Sequence, residues 1–180
     1  MGDSFMVIIA MFVAVILMFV FPLLSLSERS DDISQTVVQT ATSEFVDKVS
    51  IAGKIKPADY EALASKIGAT GNVYDIEIEV QHLDENPGKK SAITSGDLIG
   101  ENVRYSTFTT EILDEMYKNG SNPKVYELKK GDNIIVTVKN TNKTMAQMLR
   151  TTFYKVTGEG VTQVAASASS MVVNTGTSTN

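Results

Sequence analysis

The most constraining feature of this sequence is an uncharged apolar run near its start, residues 5–24, in which Pro22 is the one interruption. About 20 residues at a rise of 1.5 Å form a helix that matches the roughly 30 Å hydrocarbon layer of a bilayer. A core helix of a water-soluble protein needs a polar face, and this run has none. The sequence therefore predicts a hydrophobic transmembrane or filament-core helix over residues 1–27.

Two interpretations of this segment stay open. Ser25-Leu26-Ser27 resembles the small-residue cleavage site of a secretory signal. However, the residues before the run include no lysine or arginine, and the run is longer than the apolar part of an ordinary signal. We expect the helix to be retained. The positive-inside rule decides little because Arg29 is surrounded by acidic residues, and we expect the rest of the chain to lie outside the cytoplasm.

The residues that follow are predicted to continue the same helix. Every fourth residue over positions 33–49 is apolar on an otherwise polar segment, which indicates one buried stripe. We expect a single rod over residues 4–50, on the order of 70 Å long. Pro22 lacks a backbone donor and should kink or loosen this rod. The predicted stripe consists of Ile33, Val37, Ala41, Phe45 and Val49.

The remaining sequence predicts a small α+β head over residues 28–173, in which the amphipathic half of the first helix packs on an antiparallel sheet beside short helices. A polar, flexible tail is expected over residues 174–180. Three short helices are predicted: one with Pro57 in its first turn and Gly68 as its cap, one capped by Thr107 and ended by Asn119-Gly120, and one over residues 143–154. Their apolar faces contain Tyr60, Leu63, Ala64 and Ile67; Ile112, Leu113 and Met116; and Met145, Met148, Leu149 and Phe153.

Alternating apolar and polar residues predict the strands. Residues 72–81 place Tyr74, Ile76, Ile78 and Val80 on one face and acidic side chains on the other. A hairpin is expected from residues 124–128 and 133–140, joined by the turn at 129–132, and a last strand over residues 161–173. Residues 82–103 are expected to form a long loop.

Composition and motifs point away from catalysis. The chain has no cysteine and one histidine, and it contains no phosphate-binding loop, metal-binding helix motif or nucleophile elbow. We expect no enzyme activity, cofactor or metal, and the net charge of −5 favours no binding to nucleic acid. His82 near Asp84 and Glu85 has the residue types of a weak metal site, and Asp84, Glu85 and Asn86 those of a calcium loop, but ordinary surface turns are the expected alternative.

Charge is unevenly distributed along the chain. Acidic residues dominate up to Glu115, whereas basic residues dominate between Lys118 and Lys155. Opposed halves of this kind can attract copies of the chain to one another, or can pair within one subunit. The second alternative is the expected one.

Several of these features together resemble the type IV pilin superfamily, and within it the pseudopilins of tight-adherence (Tad) pilus systems. The shared outline is a hydrophobic helix that becomes amphipathic and is followed by a small strand-rich head. Pro22 stands where many mature pilins interrupt their helix, whereas Phe5 stands where pilins usually carry a glutamate. The C-terminal part that resembles Tad pseudopilins consists of Gly131-Asp132, Ile135-Val136-Thr137-Val138, Phe153 and Val164-Ala165-Ala166-Ser167-Ala168.

The resemblance implies a structural subunit of a pilus-like filament or pseudopilus. Its partners would be copies of itself in a helical filament, the pilus or secretion assembly machinery, and membrane lipid before assembly. Ala10 and Ala14 form a small-residue pair of the kind that lets helices approach closely, although alanine is common in any membrane helix. The residues predicted to make helix–helix assembly contacts are Phe5, Ala10, Ala14, Met18, Phe21 and Pro22.

A function of a different class is compatible with the same pattern. A monomeric, membrane-tethered accessory or binding protein of a bacterial cell envelope would keep the N-terminal helix in the bilayer permanently. The filament subunit instead needs this helix to leave the lipid and pack against other copies.

Overall fold

The computed structural model describes residues 2–83, 104–118, 120, 123–144, 147–148 and 163–176. These residues form an α+β fold with a long N-terminal helix, short helices and a small antiparallel sheet, as the sequence predicts. The helices are α1 (Gly2–Ala52), α2 (Pro57–Gly68) and α3 (Thr109–Tyr117). The strands are β1 (Lys54–Ile55), β2 (Tyr74–Leu83), β3 (Arg104–Phe108), β4 (Tyr126–Glu127), β5 (Asn133–Asn140) and β6 (Gln163–Met171).

The helix α1 is a single element of 51 residues, about 75 Å long, so the predicted rod is confirmed. Pro22 lies inside it, and helical conformation continues on both sides. Proline removes one backbone donor without ending the helix here, and the expected kink stays a prediction.

The main sheet has four antiparallel strands in the order β3-β2-β5-β6. Its register aligns Ile78 with Val136, and Val136 with Ala168, so that the apolar positions of neighbouring strands share one face. The alternation predicted for β2 and β5 is confirmed, because their inward side chains are buried while the intervening ones are more exposed. The inward side chains are Ile76, Ile78, Val80, Ile134, Val136 and Val138.

The buried face of this sheet packs on the second half of α1. Val38, Ala41, Phe45 and Val49 are each at most 5% exposed and form one core with the strands. Thr42 lies among them with no exposed surface, and its hydroxyl donates to the carbonyl of Val38, 2.7 Å away. Bonding back to the preceding turn lets a polar side chain lie in an apolar interface without an unpaired donor.

One member of the predicted stripe is placed incorrectly by the sequence pattern. Ile33 is 61% exposed and points away from the sheet, while Ser34 is 7% exposed and faces the head. A row of every fourth residue winds about 40° around an α-helix at each step, because four residues exceed one turn of 3.6. The stripe therefore leaves the head-facing side at its N-terminal end.

The helix α2 begins at Pro57, as predicted. Leu63 and Ile67 are buried, and Tyr60 and Ala64 pack partly buried against the same core. The helix is also joined to α1 by two ion pairs, Lys48 with Asp59 at 2.7 Å and Lys66 with Glu44 at 2.6 Å. The predicted cap is wrong by one residue, because Gly68 is the last residue of the helix and Ala69 occupies the C-cap.

Two local predictions in the middle of the chain are wrong. Thr107 lies in β3, which was not predicted, and α3 begins after Phe108 without a side-chain cap. Ile112 and Met116 are fully buried as predicted, whereas Leu113 is half-buried. The predicted hairpin does not form, because β4 pairs with β1 while β5 pairs with β2 and β6.

Other predictions fall wholly or partly outside the described residues. Those are most of the loop at 82–103, Asp84, Glu85, Asn86, Asn119, most of the helix at 143–154, and residues 177–180. His82 and Leu83, which the loop was expected to include, belong to β2. The tail prediction is wrong for its first residues, because the amide of Gly176 donates to the carbonyl of Leu128 and the Asn174 side chain donates to the carbonyl of Ile51.

Candidate assembly surface

The N-terminal half of α1 presents an apolar surface that the described part of the head does not cover. Its most apolar 18-residue window has a mean hydropathy of 3.1, and none of that window is buried. By length and composition this helix can cross a membrane, and it fits a single-pass membrane protein. The same chain segment thus has the length and composition of a membrane span and, if it leaves lipid, a surface for other helices.

The residues predicted to make assembly contacts are all exposed. Phe5, Met18 and Phe21 expose 66%, 74% and 56% of their surfaces, and Ala10, Ala14 and Pro22 are exposed as well. At about 100° per residue, Ala10, Ala14, Met18 and Phe21 lie on one face of α1, within about 80° of arc. Phe5 lies on the opposite side, and Pro22 lies to one side of the alanine face. The structure therefore does not bring all six onto one contact surface, and their role in assembly stays a prediction.

A groove opens where the apolar half of α1 meets the head. It has a volume of about 670 Å³ and lies between α1 and the C-terminal end of α2. Leu26 and Ile33, which are 67% and 61% exposed, form much of its apolar surface. The remaining lining residues are Arg29, Ser30, Ser34, Val37, Lys66, Ala69 and Thr70. This apolar groove is continuous with the exposed surface of the N-terminal helix.

The charged groups at the groove are largely solvated. The Lys66 ammonium pairs with the Glu44 carboxylate at 2.6 Å, but the two side chains are 48% and 61% exposed. Exposed pairs of this kind contribute little to stability, so Lys66 is held loosely. The sequence could not show this groove, because residues 26–37 and 66–70 meet only through packing of α2 on α1.

A second, polar cavity of about 330 Å³ lies on another side of α1. The Thr144 hydroxyl donates to the Asp31 carboxylate, 2.6 Å away, and so joins the segment that follows β5 to α1. Tyr74, Asn72 and Asn140 line the same cavity. The hydrogen bond between Thr144 and Asp31 at this cavity stabilises the contact of α1 with the sheet.

His82 lies in a polar cluster that local sequence does not predict. Its Nδ1 lies 2.9 Å from Oδ2 of Asp132, and its Nε2 lies 3.2 Å from the hydroxyl of Tyr126. Burial is the main cause that raises the pKa of the Tyr126 phenol, so the phenol stays protonated and can donate to Nε2. Asp132 also accepts a hydrogen bond from the amide of Lys129, at 2.8 Å. The cluster fastens β2, β4 and the 129–132 turn together.

No metal centre is visible in the part of the chain that the structure describes, where no group of three or more potential ligands occurs.

The acidic and basic halves of the chain meet at Lys139, whose ammonium pairs with Glu77 across β5 and β2. Pairing within one subunit is therefore present at this position, and attraction between copies through the other charges stays a prediction.

The fold and surface define a protein with one apolar, membrane-compatible helix and a small α+β head. Comparisons with protein-family models, with curated proteins and with solved structures found no match. The likeness to type IV pilins and Tad pseudopilins therefore rests on the sequence features given above.

Proposed function

We propose that this protein is a structural subunit of an extracytoplasmic pilus-like filament or pseudopilus, which polymerises through its N-terminal hydrophobic helix. The observation that carries the proposal is the contrast between the halves of α1. From Val38 to Val49 the head covers the apolar side chains, whereas from Phe5 to Leu26 large apolar side chains are exposed all round. A helix that is apolar on every side needs lipid or other helices around it.

Bundling these helices would satisfy that requirement without lipid. Each aromatic side chain has on the order of 200 Å² of surface, and burial of apolar surface stabilises by roughly 25 cal/mol per Å². Four phenylalanines, Phe5, Phe12, Phe19 and Phe21, lie in the exposed half, so the total gain per subunit is substantial. If opposite sides of α1 contact each other, the interface is heterologous, and an axial offset from copy to copy would keep the array open and helical instead of closing it into a ring.

The resemblance to Tad pseudopilins supports the same proposal from the sequence. In this function the head lies outside the cytoplasm, the helix resides in lipid before assembly, and the pilus or secretion machinery extracts it. The protein performs no catalysis in this role and needs no cofactor.

The deciding experiment is microscopy of sheared surface material from cells that express the chain with its native partners. Filaments labelled by an antibody to the head are the expected result. A chain that begins at Glu28 should be a folded, soluble monomer, since the core residues among those that the structure describes all lie beyond that point. Both chains are needed, because the pair separates failure to fold from failure to assemble.

A membrane-tethered accessory protein is the second candidate. The length of the apolar run supports it, since about 20 residues fit one bilayer crossing. Full-length protein that stays monomeric in lipid, together with cells that show no filaments, would decide for this candidate.

A further inference from the structure

Five large apolar side chains form a row along α1 that runs from its apolar half into the head. Phe5, Phe12, Phe19, Leu26 and Ile33 stand seven residues apart, and each exposes between 61% and 70% of its surface. Seven residues are slightly less than two helical turns, so the row winds only about 20° at each step. A spacing of seven is the one at which two helices can keep contact along their length by crossing at roughly 20°.

A bilayer is too thin to cover this row. The 28 residue-to-residue steps from Phe5 to Ile33 extend about 42 Å along the helix, whereas the hydrocarbon layer is about 30 Å thick. When residues 5–24 fill the hydrocarbon, Ile33 lies about 13 Å beyond it. Lipid can therefore cover the phenylalanines but leaves the last member of the row among charged residues and water.

The head also leaves the end of the row uncovered. Leu26 and Ile33 line the groove beside α2 and remain more than 60% exposed there. An anionic lipid headgroup suits the groove poorly, because the Glu44 carboxylate lies 2.6 Å from the Lys66 ammonium, and Arg29 is flanked in the sequence by the acids Glu28, Asp31 and Asp32. An uncharged apolar helix suits it well, and residues 4–27 of this chain are such a helix.

We infer that this row is the surface by which α1 packs on α1 of a second copy, and that the groove beside α2 extends the contact onto the head. The inference rests on the proposed function and adds the residues of the contact. At about 200 Å² per aromatic side chain, the three phenylalanines expose on the order of 400 Å². That area is about half of the roughly 800 Å² that each partner buries in a stable interface, and Leu26, Ile33 and the groove add to it.

The test uses the full chain with Ile33→Gln and a matched control, Ile51→Gln. Ile51 is an isoleucine of the same helix with 63% exposure, 18 residues further along and therefore on the same side of α1. We expect Ile33→Gln to reduce the filament protein recovered from sheared cells about tenfold or more, and Ile51→Gln to change it less than twofold. Both sites are exposed, so the unfolding of the head should be unchanged in either variant.

Photocrosslinking identifies the occupant of the groove. A photoreactive phenylalanine analogue at position 33 should crosslink to residues 2–27 of a second copy, read out by mass spectrometry of the crosslinked peptides, and the analogue at position 51 should not. Crosslinks at position 33 to phospholipid or to a different protein would overturn the inference. So would wild-type yields of filaments from Ile33→Gln, and in both cases the proposed function would stand. If the unmodified chain forms no filaments and stays monomeric in lipid, the proposed function and the inference fail together.

Discussion

The carboxylate of Asp132 lies 2.9 Å from Nδ1 of His82, although 50 positions separate the two residues in the sequence. The Asp132 side chain is 3% exposed and that of His82 is 13% exposed. The amide of Lys129 donates to the same carboxylate oxygen, and the Tyr126 hydroxyl contacts the other ring nitrogen of His82. A single buried carboxylate thus holds the end of β2, the turn before β5 and β4 together.

Removal of this carboxylate should destabilise the head. We expect Asp132→Ala to lower the free energy of unfolding by about 2–3 kcal/mol, because it leaves the Lys129 amide and the histidine ring without their buried partner. Urea unfolding of the full chain in detergent, followed by near-UV circular dichroism, measures this change. His82→Ala and the double variant complete a cycle, in which the two single effects should fail to add by about 0.5 kcal/mol or more. Additive effects would show that the two side chains are not coupled.

Gly53 should tolerate no side chain. Its φ is +64°, and a Cβ atom there would lie 2.0 Å from the carbonyl oxygen of Asn174. We expect Gly53→Ala to cost about 3 kcal/mol or more, because strain adds to a clash with backbone. Gly71→Ala is the matched control, since its φ is +83° and nothing lies within 4 Å of the added atom. Gly71→Ala should cost only the backbone strain of about 1–2 kcal/mol. Equal losses in the two variants would contradict the close packing at Gly53.

Phe45 should dominate the contact of α1 with the sheet. It is 5% exposed and belongs to the core with Val38 and Val49. We expect Phe45→Ala to lower the free energy of unfolding by about 3–5 kcal/mol, through lost apolar burial and the cavity that remains. Ile51→Ala, on the exposed side of the same helix, should change it by less than about 0.5 kcal/mol. The same urea titration measures both variants. Similar losses of unfolding free energy in the two would contradict the prediction, because they would show that burial of Phe45 in the core adds little.

The side of the membrane on which the head lies can be measured directly, because the chain has no cysteine. Ser65→Cys places a single thiol on the exposed surface of α2, and Ser4→Cys places one at the far end of α1. In spheroplasts that lack the assembly machinery, a membrane-impermeant maleimide should label Ser65→Cys before lysis and Ser4→Cys only after it. The reverse pattern would place the head in the cytoplasm.

The elements that could be predicted from sequence are those whose pattern is local. The apolar run and the stripe behind it predict α1, Pro57 with its apolar face predicts α2, and strict alternation predicts β2 and β5. In each case the periodicity repeats often enough within one element to identify both its type and its buried face.

The elements that escaped prediction depend on contacts between distant residues. β1 and β4 are two residues each, too short for any alternation, and they exist because they pair with each other. Thr107 carries a capping side chain, but pairing with Val80 of β2 places it in a strand. In the candidate assembly surface, the apolar residues were visible in the sequence, whereas the exposure of Ile33 was not. It depends on which side of α1 the sheet contacts.

The end of α1 has a mechanical consequence for either proposed function. Just beyond it, the Gly53 carbonyl accepts a hydrogen bond from the amide of Leu128, and within its last turn the Ser50 carbonyl accepts one from the amide of Val173. Tension that enters the head along the helix axis is therefore passed, at the C-terminal end of α1, both to the segment around Leu128 and to the segment around Val173. Such a joint distributes the load over hydrogen bonds that must break together. A pulled subunit should therefore resist rupture better than one whose hydrogen bonds break one after another.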